Sequence, residues 1–397
     1  MSGKSSASKK FLSIIFVFFL FVEFFKNGSY QTIDVFLDYF KQKNYDETAT
    51  TIKEIENKYT SEIWKHRELI DINGFMAGKL NMHGLYSDMG MYITDDKYIV
   101  SASEYTSTDY EVNETVDFRN YLEENGINLL YVNEPTKYID DELFIKEFGV
   151  ETYSNQNADL FLKRIKQEGV NTIDLRDNIR EENIDVSDLF YRTDHHWTTA
   201  AGLWATSIMA DGLNKYCGYN IDTSYFDEDR FIKNEWKECW LGEQGRKMSL
   251  QYVGLDDYTE LKPNYKTSFT FEESDGTTYD GNFDDFVDES IYNLDNDVYE
   301  NGSWHYSYNL KNCINNNVDT GKVLIIGDSY AHVIQPFLSL QVHEVDCIIL
   351  RNYECNFNLR DFIISSKYDT VIIAYAQFMI GAHDDPESAN YRMFMFK

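Results

Sequence analysis

Proline, cysteine and basic residues are all scarce in this sequence. Only 4 of the 397 residues are proline, which excludes a collagen-like chain. The 36 Lys+Arg face 67 Asp+Glu, and the resulting net charge of −31 excludes the broad basic face with which proteins bind nucleic acid. The 5 cysteines include no C-x-x-C pair, so they predict neither a disulfide scaffold nor a zinc site.

The composition instead predicts a globular protein with a large core. Apolar residues make up 43% of the chain and aromatic residues 16%, which is far from the composition of an acidic disordered tail. The length fits two or three domains, or one large α/β domain that carries insertions.

The amino-terminal residues differ from the rest of the chain in charge and hydropathy. Four lysines against Glu23 give residues 1–26 a charge of +3, so the remaining residues carry −31 − 3 = −34. A basic cytoplasmic flank at 1–10 precedes an apolar run at 11–25, a pattern typical of a secretory signal or a signal-anchor. No small-x-small cleavage site follows, which favours an uncleaved transmembrane anchor over a cleaved signal peptide. We therefore expect a single-pass membrane protein whose residues beyond Lys26 lie outside the cytoplasm.

Residues 26–75 are polar and helix-prone, and they predict a stalk or peripheral helices ahead of a globular domain at 76–397. In that domain, five short apolar runs predict buried parallel strands. They are INLLYV (127–132), NTIDL (171–175), KVLIIG (322–327), VDCIIL (345–350) and TVIIAY (370–375). Helix-like segments alternate with the runs, which predicts an α/β fold with a doubly wound parallel sheet of about five strands.

The segment 218–318 lacks this alternation and is acidic and aromatic. Its short tracts with Gly and Asp turns predict antiparallel hairpins. We expect a β-rich insertion on the rim of the sheet, in the role of a lid or a binding wall.

A serine follows the third predicted strand in the motif Gly327-Asp328-Ser329-Tyr330. A hydroxyl at such a strand-to-helix turn is exposed at the carboxyl edge of the sheet, where N–H groups at the helix start can bind an oxyanion. Gly327 allows the tight turn. The motif predicts Ser329 as a nucleophile, with Gly327 and Tyr330 beside the substrate or its oxyanion.

A serine nucleophile needs a base and a carboxylate that orients the base, and both occur in Asp194-His195-His196-Trp197. The chain has only 8 histidines, so two of them beside an aspartate are improbable by chance. A metal site on Asp194, His195 and His196 is the weaker interpretation, because adjacent histidines on a helix point apart. We therefore predict catalysis without a metal.

Together the two motifs resemble those of a known superfamily. G-D-S after a buried strand resembles the first block of the SGNH hydrolases, and D-x-H-W upstream of it resembles the SGNH-like alginate O-acetyltransferases. The resemblance is closer still to their Gram-positive relatives, the family named for the D-H-H-W motif. It covers about residues 76–397 and extends to the N-terminal anchor. It implies that Asp194 orients, His196 is the base and Ser329 is the nucleophile, while His195 takes the variable x position as a candidate for contact with the substrate or its oxyanion. Spacing alone leaves the choice of base between His195 and His196 open.

The resemblance further implies an extracytoplasmic serine acyltransferase that O-acetylates a cell-surface or secreted polysaccharide through an acyl-serine. The partner that it implies is a membrane-bound O-acyltransferase, which would deliver the acetyl donor. The sequence has no nucleotide or flavin signature, so we expect no cofactor beyond the acetyl donor as a substrate. The motifs fit equally a carbohydrate acetyl esterase, in which water resolves the acyl-serine. A non-catalytic glycan-binding or assembly protein is a third alternative, and the intact Ser, His and Asp argue against it.

Other residues reach the same edge of the predicted sheet. Arg351 follows the fourth strand, where it would either meet a ligand or form a surface salt bridge. Trp197 would either stack on a sugar or pack under its helix, and Lys137 and Tyr138 follow the first strand. The acidic exterior predicts a neutral or weakly charged glycan, unless Arg351 or Lys137 compensates locally.

Overall fold

A computed structural model of the chain describes residues 66–84, 90–273, 275–295, 297–299, 304, 307–354, 356–381 and 389–397. The chain divides into two compact units, 1–78 and 79–397. The predicted anchor at 11–25 and its basic flank lie outside the described residues. Within the described ranges, no helix is both long and apolar enough to cross a bilayer. The four cysteines in these ranges, Cys217, Cys239, Cys313 and Cys347, are free thiols.

An eight-stranded mixed sheet runs through the second unit. In chain order the described strands are β1 (Met91–Ile93), β2 (Ile99–Ser101), β3 (Asn128–Glu134), β4 (Asn171–Asp174), β5 (Phe231–Trp240), β6 (Asp256–Pro263), β7 (Phe269–Glu272), β8 (Thr278–Gly281), β9 (Asn312–Asn315), β10 (Lys322–Gly327), β11 (Glu344–Ile348) and β12 (Thr370–Ala376). The large sheet has the order β4-β3-β12-β10-β11-β9-β7-β8, and its first five strands are parallel. These five coincide with the five predicted runs, which confirms the α/β fold.

Helices cover both faces of this sheet. The described helices are α1 (His66–Leu80), α2 (Asp109–Glu124), α3 (Asp141–Phe148), α4 (Ser154–Gln167), α5 (Leu175–Glu182), α6 (Val186–Leu189), α7 (Thr199–Cys217), α8 (Glu243–Met248), α9 (Leu250–Val253), α10 (Gln335–Leu338), α11 (Leu359–Ser366) and α12 (Ala389–Met393). Side chains of β3 alternate between two cores, with Leu130 and Val132 in the core that contains α7. Leu129 and Tyr131 belong to the other core, which contains α2, α4 and α11.

The segment 218–318 contributes two pieces of antiparallel structure. Strands β7 and β8 form the expected hairpin, and β9 joins β7 to β11, so the segment extends the sheet itself. Strands β5 and β6 form a separate two-stranded sheet. An aromatic cluster that includes Trp240, Tyr258 and Trp304 packs with Tyr191, just ahead of the Asp-His-His-Trp motif.

Parallel strands end at one edge, and this edge collects the predicted polar residues. Ser329 follows β10, Arg351 follows β11 and Lys137 follows β3. The Asp-His-His-Trp motif also lies at this edge of the sheet. It does not follow a strand of the sheet, and it directly precedes α7. The Thr198 side chain caps that helix by accepting a hydrogen bond from Ala201 N.

Candidate active site

Asp328 fixes the turn that presents the serine. It is the N-cap of a 3₁₀ helix, Ser329–Val333, and its two carboxylate oxygens accept hydrogen bonds from Tyr330 N at 2.9 Å and Ala376 N at 2.8 Å. The carboxylate therefore ties the turn after β10 to the end of β12. Burial raises the pKa of Asp328, while the two amide donors and the nearby charge of Arg351 oppose that shift.

Gly327 allows the helix start to approach the strand end. A Cβ at this position would lie 2.6 Å from Ala331 Cβ, closer than two carbon atoms can pack. Any larger residue would displace the turn that carries Ser329. The glycine is explained by this close approach.

Asp194, His196 and Ser329 form a continuous hydrogen-bonded triad. His196 Nδ1 donates to Asp194 Oδ1 at 2.5 Å, and His196 Nε2 lies 2.7 Å from Ser329 Oγ. Because a carboxylate only accepts, Nε2 is the unprotonated nitrogen of the neutral ring and accepts the Ser329 proton. The second Asp194 oxygen accepts from Glu243 N at 2.7 Å, so the buried carboxylate is held from two sides. This is the arrangement in which a histidine activates a serine.

His195 lies beside the triad without joining it. Its ring centroid is 3.9 Å from that of His196, and its Nδ1 is 3.5 Å from Asp194 Oδ1. Burial and the neighbouring His196 lower the pKa of His195 to about 4. His195 is therefore uncharged at neutral pH.

The positions of the two histidines also decide how well this site could bind a metal ion. They precede α7 instead of lying on it, so the expectation that adjacent histidines point apart does not apply. Asp194, His195 and His196 place potential ligand atoms within 4.8 Å of one another. Both nitrogens of His196 are already engaged, and a metal on Nε2 would displace Ser329. The donor set fits proton transfer better than metal binding.

The insertion holds the motif in place from behind. Asp256, at the start of β6, accepts hydrogen bonds from Arg192 N at 2.9 Å, Thr193 N at 2.8 Å and Thr193 Oγ1 at 2.5 Å. Thr193 Oγ1 in turn accepts from Gly242 N at 2.7 Å. A Cβ on Gly242 would lie 2.4 Å from Asp194 Cβ, so only glycine fits there.

These supporting residues were not predicted from the sequence. Asp256 lies 62 positions beyond Asp194 in a run of acidic residues, and nothing local distinguishes it from its neighbours. The one local sequence signal for this support is a pair of glycines three positions apart in LGEQG, Gly242 and Gly245. Both glycines approach Thr193 closely.

The remaining predicted residues take different positions. Trp197 is buried and packs against Tyr330 at 4.8 Å between ring centroids, so the structure places it under the site. The Tyr330 amide is engaged by Asp328, and its hydroxyl donates to His195 O at 2.6 Å. Arg351 lies near the buried Asp328 carboxylate, whose pKa its charge lowers, and among the described residues its guanidinium forms no salt bridge. Its contact with a ligand stays a prediction.

Lys137 lies at the back of the motif. Its ammonium donates to Ile99 O at 2.7 Å and to Arg192 O at 3.1 Å, which links β2 to the residues ahead of Asp194. Burial lowers the pKa of Lys137 to about 7. Tyr138 points its hydroxyl at Glu147 and packs its ring on Phe144.

Comparison with known proteins shows which proteins this chain is similar to. Residues 90–229 match the family model described as the SGNH hydrolase-like domain of the acetyltransferase AlgX, a range that includes Asp194 and His196 and ends before Ser329. No curated protein matches the chain. PatB1 of Bacillus cereus has a similar structure, with a TM-score of 0.61 and 18% identity over 77% of this chain and 99% of that chain. A second PatB1 structure, which carries a sulfonyl adduct, has a TM-score of 0.59 and 18% identity over 77% and 97% of the two chains.

A DHHW family protein from Eubacterium siraeum is also similar, with a TM-score of 0.54 and 16% identity over 77% of this chain and 93% of that chain. At these identities, the structural similarity shows the fold alone. The comparisons confirm the resemblance that the two motifs predicted: the chain is similar to SGNH hydrolase-like acetyltransferases and has the fold of a DHHW family protein.

Proposed function

We propose that this protein is an extracytoplasmic serine acyltransferase that transfers an acetyl group to a hydroxyl of a polysaccharide. The observation that carries the proposal is the hydrogen-bonded triad, with His196 Nε2 at 2.7 Å from Ser329 Oγ. The similarity of residues 90–229 to the AlgX domain supports acetyl as the transferred group. The apolar run at 11–25 supports anchoring in the membrane, and the proposed partner is a membrane-bound O-acyltransferase that supplies the donor.

In the first half of the reaction, Ser329 Oγ attacks the carbonyl carbon of the donor while its proton passes to His196 Nε2. Asp194 stabilises the imidazolium that forms. Ser329 is the first residue of its helix, so its N–H lacks an acceptor within the helix and is suited to the oxyanion. When the tetrahedral intermediate collapses, the donor's leaving group takes the proton from His196, and acetyl-serine remains.

In the second half, a polysaccharide hydroxyl gives its proton to His196 and attacks the acetyl carbonyl. Ser329 leaves as an alkoxide that regains the proton, and the acetylated polymer is released. Water can take the place of the hydroxyl, because the triad activates either nucleophile in the same way. A carbohydrate acetyl esterase is therefore the second candidate.

The test measures both outcomes on the full-length protein. The protein is incubated with a chromogenic acetyl ester, with and without neutral oligosaccharides, and free acetate and acetylated oligosaccharide are quantified. Acetylated oligosaccharide supports the transferase, and acetate alone supports the esterase. Ser329→Ala should abolish both products, whereas Ser365→Ala, at an exposed site on α11, should retain them. Turnover that Ser329→Ala leaves unchanged would refute both functions, because each requires an acyl-serine at this residue. No turnover by the wild-type protein would refute both as well, and it would favour the non-catalytic glycan-binding alternative.

A further inference from the structure

A cavity of about 340 Å³ opens beside the triad. Its walls come from β2, the loop after β3, α3 and the start of α4, with three residues next to the triad closing one side. Those three are His195, Tyr330 and Phe378. Neither Ser329 nor His196 lines the cavity, which borders the triad through their chain neighbours Tyr330 and His195.

Hydrogen bonds and ring contacts fix this side of the cavity. The Tyr330 hydroxyl donates to His195 O, and the Phe378 ring meets the His195 ring edge-to-face with centroids 5.8 Å apart. Tyr138 and Phe144, on the far wall, pack with ring centroids 5.4 Å apart. Rigid aromatic surfaces of this kind pack against the C–H groups of small polar ligands.

Gln244 supplies an unsatisfied polar group to the cavity wall. Its Oε1 is buried and accepts no hydrogen bond within the described ranges. A buried carbonyl oxygen without a donor is costly, and a ligand hydroxyl or amide N–H would satisfy it. The preceding residue, Glu243, donates its N–H to Asp194, so Gln244 is positioned by the same backbone that holds the triad.

The charges in the cavity wall nearly balance. The Lys137 ammonium donates two of its three N–H groups to Ile99 O and Arg192 O. Asp141 is satisfied by the Asn155 side chain and by the backbone N–H groups of Asn155 and Gln156. The wall thus holds one basic and one acidic side chain, each hydrogen-bonded to neutral groups, and this balance of sign suits a neutral ligand.

We propose that this cavity is the subsite for the acyl acceptor, that it takes one neutral sugar unit of the polysaccharide, and that Gln244 determines specificity by accepting a hydrogen bond from that sugar. The inference rests on the proposed acyl transfer. It adds the place and the chemistry by which the acceptor is recognised. The acyl donor could also occupy a cavity in this position, and the experiment below distinguishes the donor from the acceptor.

The experiment compares how the full-length protein divides acetyl groups between sugar and water. The probes are cellotetraose and tetra-N-acetylchitotetraose, with a chromogenic acetyl ester as the donor. Gln244→Ala should lower the ratio of transfer to hydrolysis by about tenfold, the effect of one lost hydrogen bond. Gln251→Ala, at an exposed glutamine of the same segment, should keep the wild-type ratio. Ser101→Trp, which fills the cavity from an exposed wall position, should lower the ratio further.

Each contrary result has one meaning. An unchanged ratio in Gln244→Ala, with transfer and hydrolysis reduced together, would show that Gln244 acts only through the triad. If Ser101→Trp loses hydrolysis of the ester as well as transfer to the sugar, the cavity binds the acyl donor instead of the acceptor. Binding of both oligosaccharides to the Ser329→Ala protein, measured by calorimetry, tests the subsite separately from the reaction. Binding without Ser329-dependent turnover would refute the proposed function and leave the subsite standing, and no binding of either sugar would overturn the subsite.

Discussion

His195 and His196 are neighbours in the chain, and their surroundings give them different chemistry. His196 is engaged at both nitrogens, by Asp194 on one side and Ser329 on the other. His195 contributes its backbone carbonyl to Tyr330, and its ring has a lowered pKa of about 4. Only His196 is placed to accept the serine proton.

We expect His196→Ala to reduce kcat/KM for a chromogenic acetyl ester by about 10³-fold or more, because the serine loses its base. His195→Ala should reduce it by less than about tenfold, since the bond from Tyr330 goes to the backbone carbonyl and survives. Steady-state kinetics of the two variants provide the measurement. A greater loss in His195→Ala would reverse the assignment of the base.

The two motifs predicted the residue types of the triad, but their spacing alone could not rank the two histidines. Adjacent positions share the same local pattern, and only the D-x-H spacing of related motifs favours His196. What separates them is the position of Ser329, 133 residues later in the chain. A contact of that length is decided by the fold of the whole sheet, which no local pattern records.

At the scale of elements, the insertion determines the position of the Asp-His-His-Trp motif. Helix α8 presents the Glu243 amide to Asp194, and β6 presents Asp256 to Arg192 and Thr193. The segment thus holds the Asp194 carboxylate and the two residues ahead of it, as well as bordering the triad. Its role as a lid stays a prediction.

Gly242→Ala tests the close approach between α8 and the motif. The added Cβ would meet Asp194 Cβ at 2.4 Å and Thr193 O at 2.6 Å, so one of the two backbones must move. We expect kcat to fall about 10²-fold, because displacing a catalytic group by about 1 Å has that effect. Gly84→Ala is the matched control, since its Cβ would meet nothing nearer than 4.0 Å. Equal activity of the two variants in the ester assay would show that the contact does not position Asp194.

Thr193→Val tests the hydrogen bonds that link the motif to the insertion. The substitution keeps the shape of a fully buried side chain and removes its bonds to Asp256 and Gly242 N. We expect the free energy of unfolding, measured by urea denaturation, to fall by about 1–3 kcal/mol, and kcat to fall with it. Thr206→Val, which removes a single bond inside α7, should leave kcat at the wild-type value. Loss of stability in Thr193→Val with full activity would limit Asp256 and Gly242 to a structural role.

The five parallel strands could be predicted from the sequence. Of the antiparallel strands added to the same sheet, only the hairpin could be predicted, and its pairing with the sheet could not. Runs such as KVLIIG are apolar on both faces, which is the pattern of a strand buried between two layers of helices. The hairpin of β7 and β8 was indicated by its turn residues. Its attachment to the large sheet through β9 and β11 depends on pairing between distant segments, and edge strands carry little pattern to indicate a partner.

At the scale of the whole molecule, the charge of −31 acts on any charged substrate that approaches the site. Residues 1–26 account for +3, so the rest of the chain, which includes the triad, carries −34. The basic residues named at the active edge do not form an extended patch. Lys137 is bonded to two backbone carbonyls and has a lowered pKa of about 7, and Arg351 stands near the buried Asp328. A polyanion would therefore meet net repulsion.

This field predicts how transfer depends on salt. With tetragalacturonate as the acyl acceptor, raising NaCl from 20 to 200 mM should increase the transfer rate by roughly 3–10-fold, because the Debye length falls below about 10 Å and screens the repulsion. With cellotetraose, which is neutral, the rate should change little. Hydrolysis of the uncharged chromogenic ester, measured at both salt concentrations, corrects for any effect of salt on the triad itself. If tetragalacturonate is instead the better substrate at low salt, a local basic surface that includes Lys137 or Arg351 outweighs the net charge, and the cavity beside His195 would then have to accept an anionic sugar.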